Sequence, residues 1–292
     1  MIKRRESGCY DQASYRRWNI APALAPSMHL FKFPEDRLPV AIVLAVTALD
    51  VALYFAVDSL WVLLGYWLVM LVPKGVLSAW NHHHQHTPTF RFAALNRGLE
   101  LCYALQTGVT THTWLLHHVL GHHVNYLDQS KDESRWQRAN GSTMGLIEYC
   151  VKLALTAYPR AFKVGLRYPR LQRTFLIFLV LTALLVGAMV YFRPLQALLV
   201  FVLPMLTSLL FTAWVTFDHH AGLDTDDKFE ASYNTMNRWF NRLTGNLGYH
   251  TAHHHSGGLH WSRLPTLHAT LAERIPAHLY RKSSFDRWLP DR

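Results

Sequence analysis

The sequence predicts an all-α integral membrane protein. Four transmembrane helices, arranged as two hairpins, carry a cytoplasmic helical cap that holds a histidine-rich di-metal site. Three observations lead there. Four apolar runs are each close to the roughly 20 residues that a helix needs to cross a bilayer. Only 16% of the 292 residues are charged, against about 25% in a typical soluble domain. And most of the 19 histidines fall into four tight clusters: His82-His83-His84-Gln85-His86, His117-His118 with His122-His123, His219-His220, and His250 with His253-His254-His255.

Residues 1–37 are polar, basic and aromatic, and Pro22, Pro26 and Pro34 forbid a long helix. They are expected to form a cytoplasmic arm, with residues 38–292 as a single membrane domain. No short apolar core follows Met-Ile-Lys-Arg-Arg, so no cleaved signal peptide is expected. The first span is placed at 38–57. Asp50 interrupts it, and an ionisable residue inside a span is a functional flag; a buried side chain bonded to a neighbouring helix is the plainer expectation. Asp58-Ser59 turns the chain into a second span at 60–80, where Pro73 and Lys74 are expected to kink the helix or mark its exit.

Residues 81–173 hold no clean span. Leu95–Leu116 is expected to be a helix buried against the others or lying at the interface, Asp128–Asn140 a charged loop, and Gly145–Phe162 an amphipathic helix on the membrane surface. Arg167-Tyr168-Pro169-Arg170 closes this region with positive charge. The third and fourth spans are placed at 175–192 and 195–217, joined at Arg193-Pro194. Everything after Asp218-His219-His220 is polar.

Two hairpins put both termini and every histidine cluster on one side. The turns on the other side carry a single basic residue, Arg193, so the positive-inside rule makes the histidine side cytoplasmic. The net charge of +10 then follows from topology. It forms no basic run interleaved with aromatics, which argues against a nucleic-acid partner. Cys9, Cys102 and Cys150 are scattered, which speaks against disulfides and against a built-in rubredoxin-type or zinc-ribbon module.

The histidine spacings suit metal ligation. His82 and His86 stand at i and i+4, as do His118 and His122, with His123 next; His250 and His253 stand at i and i+3, with His254 next. On a helix such a pair shares one face and can hold one ion, while the adjacent histidine turns away by about 100° towards a second. With one ligand from His219-His220 the tally is nine, too many for one ion and suited to two. Nine imidazoles without cysteine fit structural zinc poorly and fit a redox metal with open positions better. A metal transporter is the rival from another class, but its ligands should line the spans, and here the spans offer mainly Asp50.

The order His-x-x-x-His, His-x-x-x-His-His, a lone histidine after the last span, then His-x-x-His-His resembles the membrane fatty acid desaturase superfamily, which includes the membrane alkane hydroxylases. The resemblance runs from Trp80 to His268. The Gly121-His122-His123 triplet is similar to the hydroxylase branch, and Gly258–Pro265 to bacterial desaturase-type members. It implies two iron ions, dioxygen as co-substrate, an external electron donor of ferredoxin, rubredoxin or cytochrome type, and a lipid or fatty acyl substrate attacked at an unactivated C–H bond. Desaturation is the favoured outcome, with hydroxylation or terminal alkene formation as alternatives. It favours His220 over His219, because a Gly-Leu follows two residues later. The ligand set is then His82, His86, His118, His122, His123, His220, His250, His253 and His254. His83 and His84 could exchange roles with His82. His112, His117, His219, Asp218 and Asn246 are candidates to support the ligands, and His255 a bystander. A ligating histidine usually donates its second ring N–H to a carboxylate; Asp218, Asp128, Asp132, Glu133 and Glu148 lie near in sequence, the last four read by default as solvated charge.

Overall fold

Length and apolarity single out four helices of the chain as able to cross a membrane. The computed structural model describes residues 29–282 and Asp286; residues 1–28 of the expected arm lie outside the described residues. Helix α1 (Arg37–Ala56) follows a single turn at Pro34–Asp36 and pairs with α2 (Leu60–His86). Helices α6 (Pro169–Phe192) and α7 (Pro194–His220) form the second hairpin. Mean hydropathy over the best window of each is 1.8 to 2.6, and at most 39% of any window is buried inside the protein. Phe55, Trp61, Val69, Leu184 and Phe192 therefore face outward, a surface that only an apolar solvent suits.

Helix α2 extends beyond the span placed at 60–80 and leads directly into the first histidine cluster, which is its last turn and a half. Pro73 sits inside it without ending it. Lys74 marks no exit: its ammonium is buried on Asp50 of α1, with Nζ–Oδ distances of 2.9 and 3.0 Å, and also donates to the Val200 carbonyl of α7 at 3.0 Å. Tyr66 and Gln106 donate to the same carboxylate at 2.5 Å. Asp50 is thus a fully hydrogen-bonded tie between four helices, the arrangement a buried charge requires. Helix α6 begins at Pro169, earlier than expected, because proline is at ease in the first turn, where its missing N–H costs nothing.

At the far end the two hairpin turns lock together. Arg193 donates to the Tyr54 carbonyl at 2.6 Å, to the Phe55 carbonyl, and to the Asp58 carboxylate, which also accepts from Gln196 at 2.9 Å.

At the other end the cap is built from shorter pieces. Helix α3 (Ala93–Thr107) stops at Gly108, well short of Leu116. Helix α4 (Leu115–His122) is wound as a π-helix. Helix α5 (Leu146–Gly165) buries Tyr149, Leu153, Ala157, Ala161 and Val164 and leaves Ile147, Val151 and Leu155 exposed, as an amphipathic surface helix should. Helices α8 (Arg238–Thr244), α9 (His250–His255) and α10 (Leu264–Leu271) complete it.

Candidate metal centre

Helix α2 presents four histidines but turns only two of them to the centre. His82 and His86, one turn apart, bring their Nε2 atoms within 3.1 Å. His83 points elsewhere, its Nε2 bonded to the Thr244 carbonyl at 2.9 Å and its ring against Trp80. His84 is occupied at both nitrogens, by Thr89 Oγ1 at 2.9 Å and by Glu100 Oε1 at 3.2 Å. Neither exchanges roles with His82. Gln85 accepts the Leu115 N–H at 3.0 Å and so fastens the start of α4 to α2.

The π-winding of α4 decides how its histidines divide. The His123 N–H bonds to the His118 carbonyl at 2.9 Å, an i→i+5 step. His118 and His123 therefore share a face, with Nε2 atoms 3.0 Å apart. His122 turns the other way, its Nε2 3.3 Å from that of His220. The expected pairing of His118 with His122 rests on α-helical spacing and is corrected by this winding.

Helix α9 splits likewise. The His253 ring lies 4.6 Å from His86 and 4.7 Å from His123. His254 lies 5.0 Å from His122 and 4.7 Å from His220. His250 sides with His254, one turn away at 4.8 Å, and its Nε2 is 2.9 Å from that of His220. The expected His250–His253 pair is thus divided between two groups. His82, His86, His118, His123 and His253 form one, with a nitrogen from each within 4.8 Å of all the others; His122, His220 and His254 form the second, with His250 beside it. The stacked rings of His123 and His254, 4.1 Å apart, join the two.

A bound cation in each group fits what these nitrogens do. A neutral ring nitrogen carries either a proton or a lone pair. Yet His118 Nε2 faces both His82 and His123, and His82 Nε2 faces His86 as well. Nε2 of His253 and both nitrogens of His254, like Nδ1 of His82, His86, His123 and His250, are buried without a partner, which is costly in a folded protein. Ligands at the usual metal–imidazole distance of about 2.1 Å, set at right angles, stand about 3 Å apart, close to the 2.9–3.3 Å between the facing nitrogens. Burial, then the neighbouring rings, holds His118, His123, His250, His253 and His254 well below the ordinary imidazole pKa. At neutral pH they are uncharged and offer lone pairs, the form a metal takes.

The supporting bonds differ from expectation in part. Asp132, first read as solvated charge, is buried and bonds His122 Nδ1 at 2.8 Å. His220 Nδ1 bonds the Ala231 carbonyl at 3.0 Å. Asp128 and Glu148 pair with Lys131 and Arg138 at the surface, Asp218 lies 3.6 Å from Arg281, and Glu133 is buried beside Gly121. Asn246 donates to the Trp261 carbonyl at 3.2 Å and reaches no histidine of either group. His219 stacks on His250 at 3.9 Å and bonds the Tyr233 carbonyl. His117 is buried against Trp114, its pKa lowered to about 3 by burial and then by Arg160. His112 is clasped by Arg97 at 2.9 Å and the Leu171 carbonyl at 3.2 Å. Sequence reasoning missed the role of Glu100, which bonds His84 at 3.2 Å and Arg97 at 2.6 Å; its signal was a carboxylate three residues after an arginine in a moderately apolar helix.

A cavity of about 620 Å³, counting its open mouth, reaches these histidines. Its walls are mostly apolar and come mainly from α2, α7 and α8, and His82, His118, His219 and His250 stand at the end nearer the cap.

Residues 56–285 match the family model described as fatty acid desaturase. No curated protein and no solved structure matches the chain.

Proposed function

The chain belongs to the fatty acid desaturase family, and from that premise we propose that it is a membrane-embedded di-iron oxidoreductase that desaturates a fatty acyl or other lipid chain. The family makes it a lipid oxidoreductase of the membrane. The observation that carries the finer reading is the pair of adjoining nitrogen clusters, with a mostly apolar cavity that reaches His82 and His118 of the first and His250 beside the second.

His82, His86, His118, His123 and His253 would hold one iron; His122, His220, His250 and His254 would hold the other. Two irons there supply the activation of dioxygen that an unactivated C–H bond demands. In the overall reaction two hydrogens leave adjacent carbons, and dioxygen takes them, with two electrons and two protons, to become two waters. The chain's own residues set the conditions. Asp132 and the Ala231 carbonyl fix the ring orientation of His122 and His220 through their outer nitrogens. Gln85 holds α4 in register with α2. Val76, Ala79, Val215 and Leu247 line the cavity, hold the alkyl chain and keep water out.

The electrons come from a separate protein of ferredoxin, rubredoxin or cytochrome type. On this reading the cap faces the cytoplasm, because the opposite turns carry a single basic residue, Arg193. Purified full-length protein, supplied with a reductase, a reduced donor and dioxygen, should convert a saturated acyl chain to an unsaturated one, and His253→Ala should abolish this. Iron-free protein with activity, or full activity after His253→Ala, would sink the proposal; an alcohol as sole product would move it to the hydroxylases.

A further inference from the structure

The cavity has direction. His82, His118, His219 and His250 stand at one end, and the walls then follow α2 and α7 into the span as far as Gly75 and Phe211. There the two helices meet. A Cβ placed on Gly75 would lie 2.9 Å from Cδ1 and Cγ of the Phe211 ring and 3.2 Å from Cδ2. The ring therefore rests on bare backbone, and nothing larger than glycine lets it do so without shifting. Gly75 and Phe211 are the lining residues of α2 and α7 farthest into the span, and the Phe211 ring fills the space that a side chain at position 75 would take.

The walls between these ends are mostly apolar, with the Ser78 hydroxyl, buried without a partner, as their main polar feature. The hydroxyls of Thr212, Thr216 and Thr244 are returned to carbonyls of their own helices, at 2.9, 2.9 and 2.7 Å, so methyl groups are left to face the cavity. Only an apolar chain end belongs past the histidines.

We infer that Phe211 is a specificity-determining residue: it stops the methyl end of the substrate, so that the carbons attacked are counted from that end and not from the headgroup. This rests on the desaturase reading above. Its scale follows from the helix. Gly75 and His82 are seven residues apart, which is about 10 Å of rise. An extended chain advances about 3.5 Å for every three bonds. The stop is thus roughly nine bonds from the histidine level.

The distinction is sharp because a stop at one end and a clamp at the other give different products from chains of different length. With the methyl end stopped, each added carbon lengthens the part outside the cavity, and the distance from the new double bond to the methyl group stays constant. With the headgroup clamped, the distance to the headgroup stays constant instead.

The test feeds a series of saturated fatty acids, each one carbon longer than the last, to a host making the full-length protein, and locates the double bonds by mass spectrometry. The expected result is one constant position from the methyl end for the wild type. Phe211→Ala should move the double bond farther from the methyl group by one or more carbons, and Phe211→Trp should move it nearer. Double bonds at a constant position from the headgroup overturn the inference and leave the desaturase reading intact, as does a Phe211→Ala product pattern identical to that of the wild type. Absence of any dioxygen-dependent product at every chain length removes both.

Discussion

His254 has neither ring nitrogen bonded within the protein, although it is buried between the two nitrogen groups. That makes the sharpest set of residue-scale expectations. On the di-iron proposal, His253→Ala and His254→Ala each remove one ligand, from different ions, so each should lower the iron content of the purified protein and cut activity by on the order of 100-fold or more. His255, whose ring lies 5.7 Å from Phe229 and outside both groups, should be dispensable: His255→Ala should leave iron content unchanged and activity within about 2-fold, the usual effect of a substitution away from such features. Asp132→Asn keeps the size of the partner of His122 and removes its charge, and should weaken iron retention by roughly 10–100-fold, read by competition with a chelator. The nine clustered histidines were legible as a set because repeats at ligand spacing are rare by chance. Their division was not. Spacing on an α-helix pairs His118 with His122 and His250 with His253, whereas the fold pairs His118 with His123 and His250 with His254. Asp132 was hidden too, since a carboxylate in a charged stretch looks solvated until the loop is seen to bury it.

At the scale of elements, the π-winding of α4 is what lets one short segment serve both groups. An i→i+5 register aligns His118 with His123 and frees His122 to turn away. Nothing in the composition of Leu115–His122 announces it. Gln85 anchors its first N–H. Gln85→Ala leaves that buried donor unpaired, which should cost about 1–3 kcal/mol, and should loosen both iron groups together; thermal unfolding and metal analysis on the same sample check both halves. In the spans, the ion pair of Asp50 with Lys74 is 0% and 1% exposed. Removing one partner by Asp50→Asn strands a buried ammonium and should destabilise the protein by about 3–5 kcal/mol, whereas replacing both by apolar residues of similar volume should be close to neutral. Thermal unfolding in detergent, with the double variant beside the single ones, separates these outcomes. The sequence flagged Asp50 as unusual but left its partner open, because Lys74 is 24 residues away and reads by itself as a helix exit.

For the whole molecule, the two-hairpin layout was readable from the apolar runs because hydropathy reports directly on what each helix must face. The ends were less readable: α2 and α7 continue past their last apolar residue into the histidines, since a helix carries on wherever its polar face finds partners. Those continuous helices join the apolar spans to the histidine clusters and wall the cavity. The proposed sidedness is tested on the same layout. A reporter fused at the C-terminus should be active in the cytoplasm, and a reporter inserted at the Arg193 turn should be active on the opposite side. The central claim is a dinuclear iron centre built from histidine alone. Metal analysis combined with Mössbauer spectroscopy of the purified full-length protein tests it most directly: two magnetically coupled irons per chain are expected in the wild type and in His255→Ala, and fewer than two in His254→Ala. An active preparation with a single iron per chain, with zinc in its place, or with two irons retained in His254→Ala would contradict it.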